Sequence, residues 1–503
     1  MIRRFFQTFH KIFGLLLSLL FLMWFLSGIV MIWHGFPRAS QEYKLRLQEP
    51  LYGNLPAIEE IIDSLPDSTN SVGSISISRK FGRPVAALGV KGGNKEYYID
   101  SLSEVESGFN DEIKEKIIAE WCKAPVLKID TLQKVDKWIP FERLKKELPI
   151  YRYHFDDEQE HQLYMSSKNG NVLQFTDKDS RFWAKLGAIP HWVYFTLLRQ
   201  HQNAWTKFVI WSASIGCIMC LCGIFVAVSV WWKQRKSGTL LKNPYKKRWH
   251  RWHFVSGLVF GLFAITFAFS GVMSMADVPG WLKKRKPEQK DERAQRVMPR
   301  RGQRGGKALP AAAYLLDYRT VIAEKDSVKA LSFESWKNHP YYRVSYNTSV
   351  EYIDALDSAT VKPFELTLEM IEADARQKIS KDVQYSIGLL TEYDKDYFAR
   401  KKERAPLPVY KVTVQDYMNT CLYYNPKTLQ LRQVDDDTRT RSFLYGGLHR
   451  LDIKFLTDRP VLWHIVMLTL LVGGSFLSLT GVVLTLKWLA RNTKKILKYL
   501  KKQ

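Results

Sequence analysis

The sequence predicts an integral membrane protein with four transmembrane helices in two parallel repeats, each running helix, extramembrane α+β module, helix. Three observations support this fold class. Four apolar stretches reach the length of about 20 residues that crosses a hydrocarbon core, basic residues cluster beside them, and matched motifs recur at two fixed offsets. Two repeats with the same orientation imply a pseudo-two-fold axis along the membrane normal.

The four apolar stretches lie at 12–33, 208–232, 254–275 and 461–488. The first follows three basic residues, as the apolar part of a signal peptide does, but it is too long for one and no small-x-small cleavage site follows. We therefore expect an uncleaved anchor. The mean hydropathy of −0.23 excludes a chain made only of membrane spans.

The net charge of +25, from 75 Lys and Arg against 50 Asp and Glu, by itself suggests a nucleic-acid partner. Its location favours membrane topology instead, because residues 1–11, 233–252 and 487–503 carry 3, 8 and 7 basic residues and no acidic residue. These segments flank the apolar stretches. We therefore expect both termini and the loop 233–252 in the cytoplasm, and no nucleic-acid partner.

The expected plan alternates helices with extramembrane segments in the order helix 1–33, first region 34–205, helix 206–232, cytoplasmic loop 233–252, helix 253–276, second region 277–460, helix 461–488 and cytoplasmic tail 489–503. In a bacterium the two large regions would lie in the periplasm, with the bilayer around the helices. Residues 283–307 carry 11 basic and 3 acidic residues, which predicts a flexible linker. The linker either rests on anionic headgroups or docks an anionic ligand or partner.

Four segments share one form, a short aromatic and β-branched strand, a polar turn and a second short strand. They cover 97–109, 162–175, 351–364 and 422–434. Amphipathic helices are expected beside them, for example at 56–65 and 366–379. Each region is therefore expected to form its own α+β module, with an antiparallel sheet covered by helix.

Histidines repeat together with the first and third helices. An offset of 243 residues matches His10 with His253, Gly14 with Gly257, Ser27 with Ser270, and Gly28 with Gly271. In each helix the glycines follow the histidine by 4 and 18 residues, which places all three on one face. Two such faces, opposed across the two-fold axis, would leave room for a large flat group and present two imidazoles to one iron, as in a bis-histidine b-type haem site. The alternative is interfacial histidines with glycines that allow helix packing.

Charged residues near the first pair suggest contacts for such a group. Lys11, Arg248 and Arg251 are close enough in sequence to meet haem propionates at headgroup level.

A second pair precedes the second and fourth helices. An offset of 258 residues matches His191 with His449, Trp205 with Trp463, and Gly223 with Gly481. By the same symmetry His191 and His449 are candidates for a second haem on the periplasmic side, although interfacial histidines beside Trp are also ordinary. A helix break is expected at Pro460, between His449 and its helix. The reserve ligands on this face are His34, His201 and His464, whereas His154, His161 and His339 are expected to be ordinary surface residues.

The remaining motifs limit the chemistry. Cys217, Cys220 and Cys222 are expected to be packing residues, because iron–sulfur ligation needs four thiolates, and a disulfide between Cys122 and Cys421 is possible. The chain has no dinucleotide-binding fingerprint and no P-loop. The reductant is therefore expected to be a separate partner, either a cytoplasmic reductase or quinol.

The chain resembles the PepSY-associated transmembrane helix family, whose members pair four spans with PepSY-type periplasmic modules and include bacterial inner-membrane ferric-siderophore reductases. The resemblance rests on the strand–turn–strand units and on the motifs His10-Lys11-Ile12-Phe13-Gly14, His253-Phe254-Val255-Ser256-Gly257, the later Ser-Gly pairs, and Leu448-His449 with His191. Two departures are the Pro before His191, where Leu precedes His449, and the basic linker.

The resemblance implies haem b, reduction of Fe(III) in a periplasmic chelate such as a ferric siderophore, and location in the bacterial inner membrane. With the two repeated pairs we expect two haems, with His10, His253, His191 and His449 as axial ligands. Two other functions remain open. The chain would be a haem-free, membrane-anchored PepSY binding or regulatory protein, or a quinol-oxidising cytochrome b subunit.

Overall fold

A computed structural model describes residues 2–63, 74–80, 82–90, 93–101, 103–105, 110–237, 243–284, 309–401, 403 and 405–500. Its helices, in chain order, are α1 (Ile2–Met31), α2 (Gln41–Leu47), α3 (Ile58–Asp63), α4 (Asp111–Trp121), α5 (Lys178–Leu186), α6 (Ala188–His191), α7 (Thr196–Arg199), α8 (Gln202–Lys236), α9 (Arg248–Met275), α10 (Tyr318–Glu324), α11 (Leu368–Lys378), α12 (Asp436–Arg441), α13 (Leu448–Arg450), α14 (Lys454–Thr457) and α15 (Pro460–Leu500). Short 3₁₀ helices cover Glu142–Glu147, Gly280–Leu282 and Ala311–Ala313, and a π-helix covers Ser442–Gly447.

The strands, in chain order, are β1 (Ser74–Lys80), β2 (Arg83–Val90), β3 (Gly93–Tyr98), β4 (Ser103–Glu104), β5 (Val126–Leu132), β6 (Ile150–Phe155), β7 (Gln162–Ser166), β8 (Val172–Thr176), β9 (Ala330–Trp336), β10 (His339–Ser345), β11 (Val350–Asp354), β12 (Tyr385–Leu390), β13 (Val409–Val414), β14 (Cys421–Tyr424) and β15 (Leu431–Val434). They form one seven-stranded and two four-stranded antiparallel sheets within the described residues.

Four helices, α1, α8, α9 and α15, are long and apolar enough to cross a membrane, and each contains one of the predicted apolar stretches almost completely. They extend beyond those stretches because polar residues continue the helices. Pro460 is the first residue of α15 and not a break inside a longer helix, because the missing N–H of proline costs nothing in a first helical turn.

The four long helices form a ring in which α1 packs against α8 and α15, and α9 packs against the same two helices. Two glycines admit phenylalanine rings of α1. A Cβ added to Gly216 of α8 would lie 2.6 Å from the Phe21 ring, and one added to Gly474 of α15 would lie 2.5 Å from the Phe25 ring. Small residues therefore let bulky rings fill the bundle interior, as in other membrane bundles.

The seven-stranded sheet joins the two extramembrane regions, in the order β11-β10-β9-β1-β2-β3-β4. Strand β1 of the first region pairs antiparallel with β9 of the second, and Ile75 lies opposite Phe333. The expectation that each region forms its own module is therefore wrong for this sheet. Alone, β1 and β9 would each expose an edge of unpaired backbone groups, and pairing unites their buried side chains in one core.

The two four-stranded sheets keep to one region each and run in chain order, β5 to β8 and β12 to β15. The predicted strand–turn–strand units are confirmed for β7–β8 and β14–β15. In the unit at 351–364 the second strand is only a single bridge between Ile353 and Pro363. In the unit at 97–109, β3 pairs with β4, and residues 106–109 lie outside the described part of the chain. Helices α3 and α11 confirm the amphipathic predictions.

Short helices connect each four-stranded sheet to the next membrane helix. In the first region they are α5, α6 and α7, and in the second α12, the π-helix, α13 and α14. The Trp205 indole donates to the Trp192 carbonyl (2.9 Å), and the Trp463 indole donates to the Arg450 carbonyl (3.0 Å), 258 residues later in both groups. These bonds tie the connectors that carry His191 and His449 to α8 and α15.

Two sequence expectations concern other segments. Cys122 and Cys421 are both free thiols, so the possible disulfide between them is not formed. Of the expected basic linker 283–307, only Lys283 and Lys284 fall within the described residues, and the Lys284 ammonium pairs with Asp436 (2.7 Å). The other residues of that linker lie outside the described ranges.

Candidate functional site: two histidine pairs

The first histidine pair, His10 of α1 and His253 of α9, lies inside the four-helix bundle. Their ring centroids are 5.9 Å apart, with the rings inclined by 40°. Both side chains line a cavity of about 670 Å³ between the four long helices. That volume is within the range, about 300–1,000 Å³, of pockets that bury small ligands and cofactors.

Hydrogen bonds define the tautomer of the first pair. His10 Nδ1 lies 2.9 Å from the Met219 carbonyl, which can only accept, so Nδ1 carries the proton. His253 Nδ1 lies 2.9 Å from Thr480 Oγ1, whose own proton goes to the Leu477 carbonyl (2.7 Å), so this nitrogen also donates. In both neutral rings Nε2 is left unprotonated, which is the form that binds a metal.

Glycines line the cavity beside both rings. The set is Gly14, Gly223, Gly257, Gly261 and Gly481. A Cβ added to Gly223 would lie 2.7 Å from His10 Cε1, whereas one added to Gly481 would lie 3.7 Å from His253 Cε1. The predicted glycines Gly14 and Gly257 thus lie on the cavity wall, and Gly223 allows the His10 ring to pack against α8.

Basic side chains also line this cavity. They include Lys11, as expected, together with His250 and Arg491, but Arg248 and Arg251 are not among the lining residues. The expected anion contacts are therefore redistributed. Sequence reasoning missed His250 and Arg491 because nothing local indicates that the end of α15 returns beside the start of α9.

The second histidine pair, His191 of α6 and His449 of α13, lies where the connectors meet α1 and α9. Its ring centroids are 6.0 Å apart and the rings are inclined by 57°. Burial, followed by the nearby His191 ring, lowers the pKa of His449 to about 3, so His449 is neutral at physiological pH. Phe267 and Tyr445 pack on the His449 ring with centroids at 6.1 and 5.6 Å.

Two serines hold the second pair. His449 Nδ1 lies 3.0 Å from Ser270 Oγ, which donates its own proton to the Phe267 carbonyl. His191 Nδ1 lies 3.3 Å from Ser27 Oγ and 3.2 Å from the Trp24 carbonyl. Nδ1 is the donor in both rings, as in the first pair. The repeated serines were recognised in the sequence, but their contact with His191 and His449 was not, because it joins residues more than 160 positions apart.

The reserve histidines make other contacts. His34 stacks on Trp183 with centroids 4.3 Å apart, and His201 is the N-cap residue of α8. His464 Nδ1 bonds to the Pro460 carbonyl at 2.7 Å, and its ring stacks on Trp33. Among the described residues, the structure does not bring these three together with either pair.

Aromatic rings occupy the bundle interior between the two pairs. Phe21 lines the cavity of the first pair, Phe25 lies 6.3 Å from Phe21, and Phe267 lies 5.9 Å from Phe25, all between ring centroids. Phe267 in turn packs on His449. A column of side chains therefore connects the first cavity with the second pair.

The spacing of both pairs suits one axially ligated metal ion. Bonds of about 2.0 Å to each nitrogen, with about 1.1 Å from nitrogen to ring centre, separate two axial imidazole centroids by about 6 Å. Both measured separations agree. For the first pair the glycine-lined cavity also provides room for a flat macrocycle, so these residues fit a b-type haem.

No curated protein matches the chain. A family model, described as PepSY-associated TM region, matches residues 123–356, which include the four-stranded sheet of the first region, helices α8 and α9, and strands β9 to β11. The four apolar helices and this match are those of a multi-pass membrane protein. Over the matched residues the chain belongs to the PepSY-associated transmembrane family, as its histidine and strand motifs predicted.

Proposed function

We propose that this protein is a haem b-containing oxidoreductase of the bacterial inner membrane that reduces ferric chelates, such as ferric siderophores, in the periplasm. The observation that carries the proposal is the presence of two imidazole pairs in one membrane bundle, each with centroids about 6 Å apart. Both termini would lie in the cytoplasm and the sheets in the periplasm, since the basic segments flank the helices on the other side.

The chain's own residues would set the properties of the two sites. When bound, a b-type haem supplies a one-electron Fe(III)/Fe(II) couple, whose potential depends on axial ligands, hydrogen bonding and burial. His10 and His253 would hold one haem, and His191 and His449 a second. The Nδ1–H donors raise the basicity of each ligand and fix its orientation.

The separation of the pairs supports transfer across the membrane. His10 and Ser27, the latter a contact of His191, are 17 residues apart on α1, or about 25 Å along the helix. Phe21, Phe25 and Phe267 fill the interior between them. The proposed role of these rings is to exclude water and to hold the two sites at a constant separation.

The proposed reaction uses one electron per iron. A cytoplasmic reductase or membrane quinol is the donor, and a quinol that gives two electrons and releases two protons reduces two ferric chelates. Oxygen-rich chelators suit the hard Fe(III) ion better than the softer Fe(II) ion. Reduction therefore favours release of iron.

The first test is a reduced-minus-oxidised visible spectrum of the purified protein with its haem content per chain. We expect two haems, about half lost in His10→Ala or His253→Ala and the rest lost when His191→Ala and His449→Ala are added. The control is His339→Ala, whose imidazole pairs with Asp354 in a sheet. A protein without haem after growth with adequate haem would contradict the proposal and favour the regulatory function.

The second test is reoxidation of the reduced protein by a ferric hydroxamate chelate, with Fe(II) captured by a chromogenic chelator. One Fe(II) should appear per haem oxidised. Reduction by quinol without any transfer to the chelate would instead indicate a cytochrome b subunit that serves another enzyme.

A further inference from the structure

We propose that Cys122, Asp157 and His161 of the first region form a binding site for a divalent metal ion of the zinc class. One ligand atom from each of these half-buried side chains lies within 4.8 Å of the others. The site is remote in the chain from the histidine pairs and does not depend on the proposed reductase function.

The three ligand types suit Zn²⁺. A thiolate, an imidazole and a carboxylate are the groups that bind this ion in proteins, at about 2.0–2.3 Å. The thiolate disfavours Mg²⁺ and Ca²⁺, which take oxygen ligands. Three protein ligands leave the fourth tetrahedral position for water or for a group from a partner.

The fold holds each ligand in place before any ion binds. Cys122 is the C-cap residue of α4, with its N–H bonded to the Ile118 carbonyl. Asp157 and His161 lie in the turn between β6 and β7, and the His161 ring stacks on Phe175 with centroids 4.9 Å apart. In this metal-free arrangement Asp157 bonds to the His161 backbone N–H (2.9 Å) and to Nδ1 (2.5 Å).

The corresponding turn of the other four-stranded sheet shows what the fold alone requires. Between β13 and β14, Asp416 accepts from the Thr420 backbone N–H (2.7 Å) and from its hydroxyl (2.6 Å), the same pattern with Thr in place of His. The C-cap residue of α11 is Ile379, in the position that Cys122 has after α4. The aspartate thus has a structural role in both turns, whereas the thiol and the imidazole are additions found only in the first.

This comparison supplies conservative test variants. Cys122→Ile and His161→Thr give the first region the residues that the second region already uses in the same backbone setting. The control is His154→Gln, which removes a neighbouring imidazole that is paired with Asp130 and leaves the three proposed ligands intact.

The test is equilibrium dialysis of the full-length protein against Zn²⁺, followed by X-ray absorption at the zinc edge, where haem iron does not interfere. We expect one Zn²⁺ with a single sulfur at about 2.3 Å and nitrogen or oxygen at about 2.0 Å. Cys122→Ile should remove the sulfur signal, His161→Thr should weaken binding at least tenfold, and His154→Gln should change neither.

Alkylation of the wild-type protein gives a result that does not depend on how the variants fold. Bound Zn²⁺ should slow modification of the Cys122 thiol by maleimide at least tenfold, as located by mass spectrometry. Equal alkylation rates with and without Zn²⁺, or a zinc spectrum without sulfur, would overturn the proposed site. Loss of haem in the histidine-pair variants would leave this result unchanged, so the two proposals fail separately.

Discussion

At the scale of single residues, Ser27 and Ser270 show how a short sequence motif positions a ligand contributed by a distant segment. Each hydroxyl donates to a carbonyl of its own helix, so its lone pair accepts from the histidine Nδ1–H. Partners of this kind orient metal-bound imidazoles, and their loss commonly weakens metal binding by about 10–100-fold.

We therefore expect Ser270→Ala to weaken haem retention at the second pair and to shift the midpoint potential of that haem. The matched control is Ser274→Ala, one turn later on α9, whose exposed hydroxyl bonds only to the Gly271 carbonyl among the described contacts. A redox titration with haem quantification measures both variants. Identical titration curves for the two variants would mean that the serine does not act on His449.

Gly223 and Gly481 provide a second residue-scale comparison, because they hold matching positions with different clearance. We expect Gly223→Ala to displace the His10 ring, since its Cβ would approach Cε1 to 2.7 Å, and to lower haem occupancy at the first pair. Gly481→Ala should be tolerated, since its nearest contacts, at 3.5 and 3.7 Å, are ordinary. The ratio of haem to protein in the two purified variants distinguishes them, and equal ratios would count against the observed approach to His10.

Asp130 predicts a pH dependence of stability in the first region. Hydrogen bonds from Lys128, Arg152 and His154 hold the pKa of this carboxyl well below its usual value. A depressed folded-state pKa contributes stability that is complete above the unfolded-state pKa of about 3.9 and declines as the pH falls towards the folded value.

Asp130→Asn should therefore destabilise the protein by about 1–3 kcal/mol at pH 7, and the difference from wild type should shrink steadily below about pH 4. Thermal unfolding followed by tryptophan fluorescence measures this difference. The exposed Asp156→Asn serves as control. A difference that stays constant from pH 7 to pH 3 would be inconsistent with the ion-pair explanation.

At the scale of elements, the pairing of β1 with β9 is the main departure from what the sequence predicts. The long helices were predictable because an apolar stretch of about 20 residues has few other solutions, and β7, β8, β14 and β15 were predictable from local alternation and turns. The partner of an edge strand is not a local property. Ser76 and Ser332 face each other although 256 residues separate them in the chain.

This pairing predicts a specific crosslink. Directly opposed residues of antiparallel strands have Cα atoms about 4.5–5.5 Å apart, within the range that a disulfide spans. Ser76→Cys combined with Ser332→Cys should form a disulfide under mild oxidation, detected as a linked peptide by mass spectrometry. The control pair is Ser101→Cys with Ser332→Cys, because Ser101 lies beyond β3 in the same sheet. Equal crosslinking of both pairs, or none at all, would argue for two separate sheets.

At the scale of the whole molecule, the same contacts recur in both halves although the residues that make them differ. Trp205 and Trp463 bond to equivalent carbonyls, and a cation packs over each indole, Arg199 at 4.3 Å and Lys401 at 4.2 Å from the ring centroid. Four of the candidate ligands were predictable, since repetition of His with Gly and Trp at fixed offsets is visible in the sequence. Which histidines meet was only implied, because the repeat defines equivalent positions but not distances.

The proposed arrangement also predicts direction. The first pair lies beside the basic residues Lys11 and Arg491, and the second pair lies beside the sheets. An impermeant ferric chelate should therefore receive electrons only on the face with the sheets.

In proteoliposomes we expect reduced haem to be reoxidised by an impermeant ferric chelate on the face with the sheets, and not by the same chelate on the face with the C-terminal tail. Protease cleavage of the tail measures the fraction of molecules in each orientation. His191→Ala with His449→Ala should abolish this reoxidation, because the remaining site lies about 25 Å along α1 from the second pair. Reoxidation from the tail face at an equal rate would show that electrons leave from the first pair, and the proposed direction across the bundle would then be wrong.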